Sequence, residues 1–245
     1  MVNYSGQPRL NAACDRPTDR RRSPNPDAPT HLTKKPVTMK RTGPAKAETD
    51  LMPAFSGLAR DRIVLPVTPS AFAAAAEEIR TARQVGFDTE SKPTFSVGEV
   101  SRGPHVAQFA LPDKAFVFQL CHEHALPVLA ELLQDRGVLK IGFGLSADRS
   151  QIHARLGITL HAVLDLDHVF RKQGYGGSLG ARAAVGLILG CNFRKSKRTT
   201  TSNWSSPRLT DIQLLYAAND AYAALKVFEA LDLPPHALPI GGLDD

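Results

Sequence analysis

An α/β fold, a mixed β-sheet flanked by α-helices in a single domain, is the architecture this sequence predicts. Three segments with strand character stand close together at 85–90, 105–111 and 115–120, the last two joined by the turn signal Pro112-Asp113. Beyond residue 120, strand-like and helix-like segments alternate, the pattern of strands covered by helices. Hydrophobic residues make up 42% and charged residues 22% of the 245, which is ordinary for a globular chain.

Residues 1–54 are rich in Pro, Arg, Thr and Asn and carry almost no apolar periodicity, so they are expected to form a disordered basic tail. Residues 1–50 hold ten Lys/Arg against five Asp/Glu, and the other 195 hold twenty against nineteen. The net charge of +6 therefore describes the tail more than the fold, and it says little about what the folded part binds. Within the tail, Arg20-Arg21-Arg22 reads either as a phosphate contact or as a solvated charge run. Met39 is a candidate alternative start. No signal-peptide core is present, and the prolines spoil an amphipathic transit helix. Cys14, Cys121 and Cys191 are scattered and form no CxxC pair, so a reduced, cytoplasmic setting is expected. No apolar run approaches the ~18 residues of a membrane span.

Order is expected from residue 55 to 235, with 236–245 as a short C-terminal tail. An extended piece at 62–67 leads into an alanine-rich helix at 69–83, capped by Thr68 or Ser70. After the three strands come a helix at 126–134, a strand at 138–143, a helix at 147–156 and a short strand or extended piece at 162–166. A helix at 179–189, a polar basic loop at 191–207 and a long helix at 209–231, stopped by Pro234-Pro235, complete the chain. The run Cys121-His122-Glu123-His124 contains metal-ligand types, but adjacent residues cannot all point inward, so it reads as an ordinary loop. His153 and His161 read as structural.

Two segments carry chemistry on their own terms. On the strand at 85–90, side chains repeat every two residues, so Asp88 and Glu90 share a face. Two adjacent carboxylates on a buried strand repel, and a cation between them relieves the cost. An exposed strand end with solvated acids is the alternative. Gly86, on the same face, leaves room for close approach to the backbone. On the long helix, Leu214, Ala218, Ala221, Leu225 and Phe228 form one stripe, and Ile212, Tyr216, Asp220, Ala223 and Val227 another. Asp220 thus lies inside an apolar stripe, one turn from Tyr216. A buried Asp needs a hydrogen-bond partner or a metal. Asp148 falls in the first turn of a helix, where the helix dipole favours any acid.

Together these segments resemble the DnaQ-like 3′–5′ exonucleases, in the subgroup with four acids and a tyrosine to which ribonuclease D and the Werner-helicase exonuclease domain belong. Asp88-Thr89-Glu90 matches the first family motif. Lys140-Ile141-Gly142-Phe143-Gly144 followed by Asp148 matches the second, and Tyr216-Ala217-Ala218-Asn219-Asp220 the third. Ser202-Asn203-Trp204-Ser205-Ser206-Pro207-Arg208-Leu209 also looks like this family, and the match covers about residues 60–232. The resemblance implies a ribonuclease-H-like sheet and hydrolysis of DNA or RNA from a free 3′ end, with Asp88, Glu90, Asp148, Tyr216 and Asp220 as the catalytic set. It also implies two divalent ions, Mg²⁺ or Mn²⁺, about 3.5–4 Å apart. Asp88 would be shared between them, Glu90 and Asp220 would complete one set and Asp148 the other, while Tyr216 would orient the attacking water. Where relatives often carry an apolar residue after the first motif, this chain has Ser91-Lys92-Pro93.

Arg194, Lys195, Lys197 and Arg198 precede the third motif and are candidates to guide the substrate backbone, with a solvated loop as the alternative. Trp204 is either a base-stacking platform or a packing residue. Two other functions fit parts of the sequence. One is a catalytically inactive nucleic-acid-binding module. The other is an NAD-binding protein, since Gly142-x-Gly144-x-x-Ala147 follows a strand with Asp165 and Asp167 some twenty residues on. It leaves Asp88, Glu90 and the Tyr216–Asp220 pair unexplained. Nothing points to a protein partner.

Overall fold

The computed structural model describes residues 40–96 and 98–242, all within one compact unit, Met39–Asp245. Cys14, Arg20-Arg21-Arg22 and Met39 lie outside the described residues.

Six strands form one mixed sheet: β1 (Ile63–Val64), β2 (Gln84–Glu90), β3 (Val106–Ala110), β4 (Ala115–Gln119), β5 (Leu139–Gly142) and β6 (Val163–Asp165), in the order β1-β4-β3-β2-β5-β6. β3 runs antiparallel to both β2 and β4, and the other pairs are parallel. Every residue of β3 and β4 is buried, because helices cover both faces. On one face, α2 (Pro69–Ala82) and α3 (Ala125–Gln134) pack Phe72, Ile79 and Leu129 against Phe87, Phe109 and Phe118. On the other, α8 (Asp211–Leu231) sets Leu214, Ala218 and Ala221 against Val106 and Val117. The alternation along β2 thus sends Phe87 to one layer and turns Asp88 toward α8. Thr68 caps α2 by accepting from the Ala71 amide, and Thr210 with Gln213 forms a capping box on α8.

The remaining helices are α1 (Lys46–Thr49), α4 (Ser146–Leu156), α5 (Leu166–Lys172), α6 (Ala181–Leu189) and α7 (Lys197–Thr200). Three of them depart from expectation. α1 precedes the boundary at residue 55, and its Thr49 is buried against α6, where Gly186 leaves space for its methyl. Four residues are too few to show a period. α5 follows β6 directly, with Leu166, Val169 and Phe170 buried at helical spacing and Asp165 as its cap. α7 stands inside the stretch read as a loop, capped by Ser196. Ile212 does not continue the Tyr216 stripe, being 69% exposed at the start of α8. The expected C-terminal tail returns to the sheet, where Gly241 bridges Val163 at the β6 edge. Among the described residues, no helix is long and apolar enough to cross a membrane.

Candidate active site

Asp88, Glu90 and Asp220 each offer a carboxylate oxygen, and the three atoms lie within 4.8 Å of one another. Strand period places the first two side by side. The third arrives because Gly86 lets α8 come down onto β2: a Cβ on Gly86 would sit 1.9 Å from the Ala221 carbonyl oxygen. The room expected at Gly86 is therefore filled by the helix backbone, and Asp220, one residue before Ala221, is held over the two acids of β2.

The arrangement is electrostatically costly without a cation. Burial, then Asp148 and Asp220, raises Asp88 well above the usual carboxylate range. Burial, then Asp88 and Asp220, pushes Glu90 up to about 10. Burial also raises Asp220, against the opposing pull of Lys195. Asp220 Oδ1 is buried without a hydrogen-bond donor. An all-oxygen donor set with an unsatisfied buried atom fits a hard divalent cation.

Asp148 stands outside the trio. From the first turn of α4 its Oδ1 accepts a hydrogen bond from Thr89 Oγ1, and burial raises its pKa while that bond opposes the rise. Its charge still reaches Asp88. Tyr216 lies one turn before Asp220, with its hydroxyl 2.8 Å from Thr200 Oγ1. Burial, then Asp220, raises its pKa, so the phenol keeps its proton.

The basic stretch divides. Arg194, Lys197 and Arg198 are exposed; Lys195 is exposed as well, but its ammonium turns inward, with Nζ 2.8 Å from Asp220 Oδ2. Of the two roles left open for Trp204, the structure shows packing: it is 1% exposed, donates from Nε1 to the Thr200 carbonyl at 3.2 Å and lies 6.0 Å from the Tyr216 ring. No face is left for a base to stack on. The tryptophan instead braces the segment that carries Thr200, and through it Tyr216.

Three neighbours of the site went unseen in the sequence. Thr89 and Thr200 hold Asp148 and Tyr216, and no spacing rule marks either. Gln108 pairs in register with Asp88, fully buried, and both its amide atoms lack partners. A glutamine in an otherwise apolar five-residue strand was the available signal.

The chain matches the model of the 3′–5′ exonuclease family over residues 63–233. It belongs to that family. The mouse bifunctional 3′–5′ exonuclease/ATP-dependent helicase WRN is 30% identical over 149 residues, covering 60% of this chain and 11% of that protein. A 3′–5′ exonuclease of Arabidopsis thaliana is 28% identical over 153 residues, 61% of this chain and 53% of the relative. The chain thus spans about half or less of these relatives. The crystal structure of Trypanosoma brucei RNase D with RNA U12 superposes with a TM-score of 0.63 at 19% identity, covering 71% of this chain and 64% of that one. At 19% identity that likeness shows the fold alone, a ribonuclease-H-like mixed sheet flanked by helices.

The dinucleotide reading fails on the geometry of its own loop. The amides of Gly144 and Leu145, which would cradle a pyrophosphate, donate at 2.9 and 3.0 Å to the two oxygens of Asp165. A fixed carboxylate occupies the anion position. Asp167, the other acid of that pattern, is bound to Arg171 and the Leu179 amide.

The raised carboxylates give a stability expectation. Glu90 binds a proton more tightly when folded, so its contribution is full below about pH 4.5 and is lost as pH rises toward about 10. In EDTA, the stability of wild type relative to Glu90→Gln should fall steadily from pH 5 to pH 8, by roughly 1–3 kcal/mol. Urea titrations at fixed pH values measure it. A difference that is flat or rises with pH would mean that Glu90 is ionised without metal.

Proposed function

We propose that this protein is a metal-dependent 3′–5′ exonuclease that hydrolyses phosphodiester bonds at the 3′ ends of DNA or RNA. The observation that carries the reading is the convergence of Asp88, Glu90 and Asp220 from β2 and α8 within 4.8 Å. The donors suit two ions, Mg²⁺ or Mn²⁺, which when bound lower the pKa of a water and stabilise charge on the phosphate and the departing 3′ oxygen. Asp88 feels the charge of both Asp220 and Asp148 and would be the ligand shared between two cations. Glu90 and Asp220 would complete one set and Asp148 the other. Tyr216, kept protonated and aimed by Thr200, orients the attacking water by hydrogen bonding and does not serve as the base. Exposed Arg194, Lys197 and Arg198 lie just ahead of α8 and would hold substrate phosphates. The inactive-module reading is disfavoured because the whole acid set and the tyrosine are present.

The test uses single strands of DNA and RNA labelled at either end, with Mg²⁺ or Mn²⁺. A 3′ label should appear at once as mononucleotide, a 5′ label should give a shortening ladder, and EDTA should stop both. Digestion that persists in EDTA, or that starts at the 5′ end, sinks the proposal. Comparing the two sugars at equal enzyme decides the preferred nucleic acid.

A further inference from the structure

Lys195 sends its ammonium into the acid cluster while its charged neighbours face solvent. Nζ lies 2.8 Å from Asp220 Oδ2, on a carboxylate whose side chain is 3% exposed, and the lysine side chain is itself 36% exposed. The same ammonium sits 5.6 Å from the centre of the Tyr216 ring. Its charge favours the ionised forms of Asp88 and Glu90 as well as Asp220.

This is not an ordinary surface ion pair, which contributes little. The acid partner is buried beside two further carboxylates, so removing the cation would leave their repulsion uncompensated. A divalent ion that took the open Asp220 Oδ1 would sit on the same carboxylate as this ammonium, which lies against Oδ2. Like charges so close in a poorly solvated site repel strongly, so the two cations compete for Asp220. Lys195 is borne on the short segment between Phe193, which is buried, and the Ser196 cap of α7, so the backbone can stay fixed while the side chain swings out.

We infer that Lys195 is a built-in counter-cation: it holds the three carboxylates together in the metal-free protein and is displaced from Asp220 when a divalent ion binds. The inference rests on the exonuclease reading only for why the site takes metal. It makes Lys195 a positioning residue that sets metal affinity, since every ion bound must compete with a tethered charge.

Two measurements on the full chain, without nucleic acid, test it. Calorimetric titration of Mn²⁺ should show Lys195→Met binding about tenfold more tightly than wild type, equivalent to about 1.4 kcal/mol. Lys195→Arg, which keeps the charge, should stay near wild type. In wild type, acylation of Lys195 followed by mass spectrometry should be slow in EDTA and several-fold faster with saturating Mn²⁺, relative to exposed Lys197 in the same sample. Unchanged or weaker Mn²⁺ binding by Lys195→Met, or acylation that Mn²⁺ slows or leaves unchanged, overturns the inference. If Lys195→Met does not fold, the acylation rates decide alone. A chain that releases Lys195 to Mn²⁺ but digests nothing keeps this inference and loses the proposed activity. One that digests 3′ ends with Mn²⁺ affinity indifferent to Lys195 does the reverse.

Discussion

Replacing Asp88 with asparagine is expected to abolish 3′ hydrolysis and, in EDTA, to stabilise the protein. The two effects have one cause. Burial of Asp88 and the charges of Asp148 and Asp220 oppose its ionisation. Asparagine keeps the shape and can still accept the Thr89 amide, which donates to Asp88 Oδ1 at 2.9 Å. It removes the charge on which a shared cation depends. Positioned divalent ions supply several kcal/mol of charge stabilisation, so turnover should drop by about 10³-fold or more. Without metal, relief of the repulsion should raise the melting temperature by a few degrees, on the scale of about 2–4 °C per kcal/mol for a chain of this size. Turnover of an end-labelled strand and melting in EDTA measure the pair of effects. Lower activity together with lower metal-free stability would show that Asp88 makes a favourable contact in the empty site, and would remove the case for a cluster held under strain for metal. A gain in stability with activity intact would remove Asp88 from the chemistry.

The same physics decides what could be read in advance. Asp88 and Glu90 were legible because a strand has period two and two acids on a covered face require explanation. Tyr216 and Asp220 were legible because a polar pair interrupts an apolar helix. Asp148 looked ambiguous in the sequence, and its place matches that ambiguity: it occupies a helix first turn, bonds to Thr89 and stays outside the trio. Lys195 was illegible. Nothing local separates it from Arg194, Lys197 and Arg198, and only the folding of the 191–200 segment over Asp220 turns it inward. Trp204 was open between two roles because a lone aromatic near a helix start has no period, and burial settles it as a brace. α5 could have been found, since Leu166, Val169 and Phe170 follow the helical spacing, but the strand before it ends only one residue earlier. The sheet order was beyond local patterns, because it depends on which strand β2 pairs with across the chain.

Gly86→Ala is expected to be the most damaging single substitution outside the acids, although it adds only one methyl group. The added carbon would lie 1.9 Å from the Ala221 oxygen and 2.7 Å from its carbonyl carbon. Both are backbone atoms in the middle of a 21-residue helix, so no side-chain rotation relieves the overlap. Either α8 lifts from β2 or the strand bends. Overpacking of this kind typically costs about 1–3 kcal/mol, occasionally more, and a backbone clash belongs at the upper end. The chemistry should suffer further than stability does. Asp220 precedes Ala221, and Tyr216 lies one turn earlier, so any lift of α8 moves both away from Asp88 and Glu90 together. A displacement of about 1 Å in a site of this type can cost about 10²-fold in rate. The expected result is a folded but less stable protein with turnover down by at least that factor at saturating metal. Urea unfolding measures the first effect and single-turnover rates the second. Weaker Mn²⁺ binding should accompany both, because the oxygens now within 4.8 Å would separate. Unchanged turnover in a stably folded Gly86→Ala protein would show that the contact between α8 and β2 does not set the geometry of the acids.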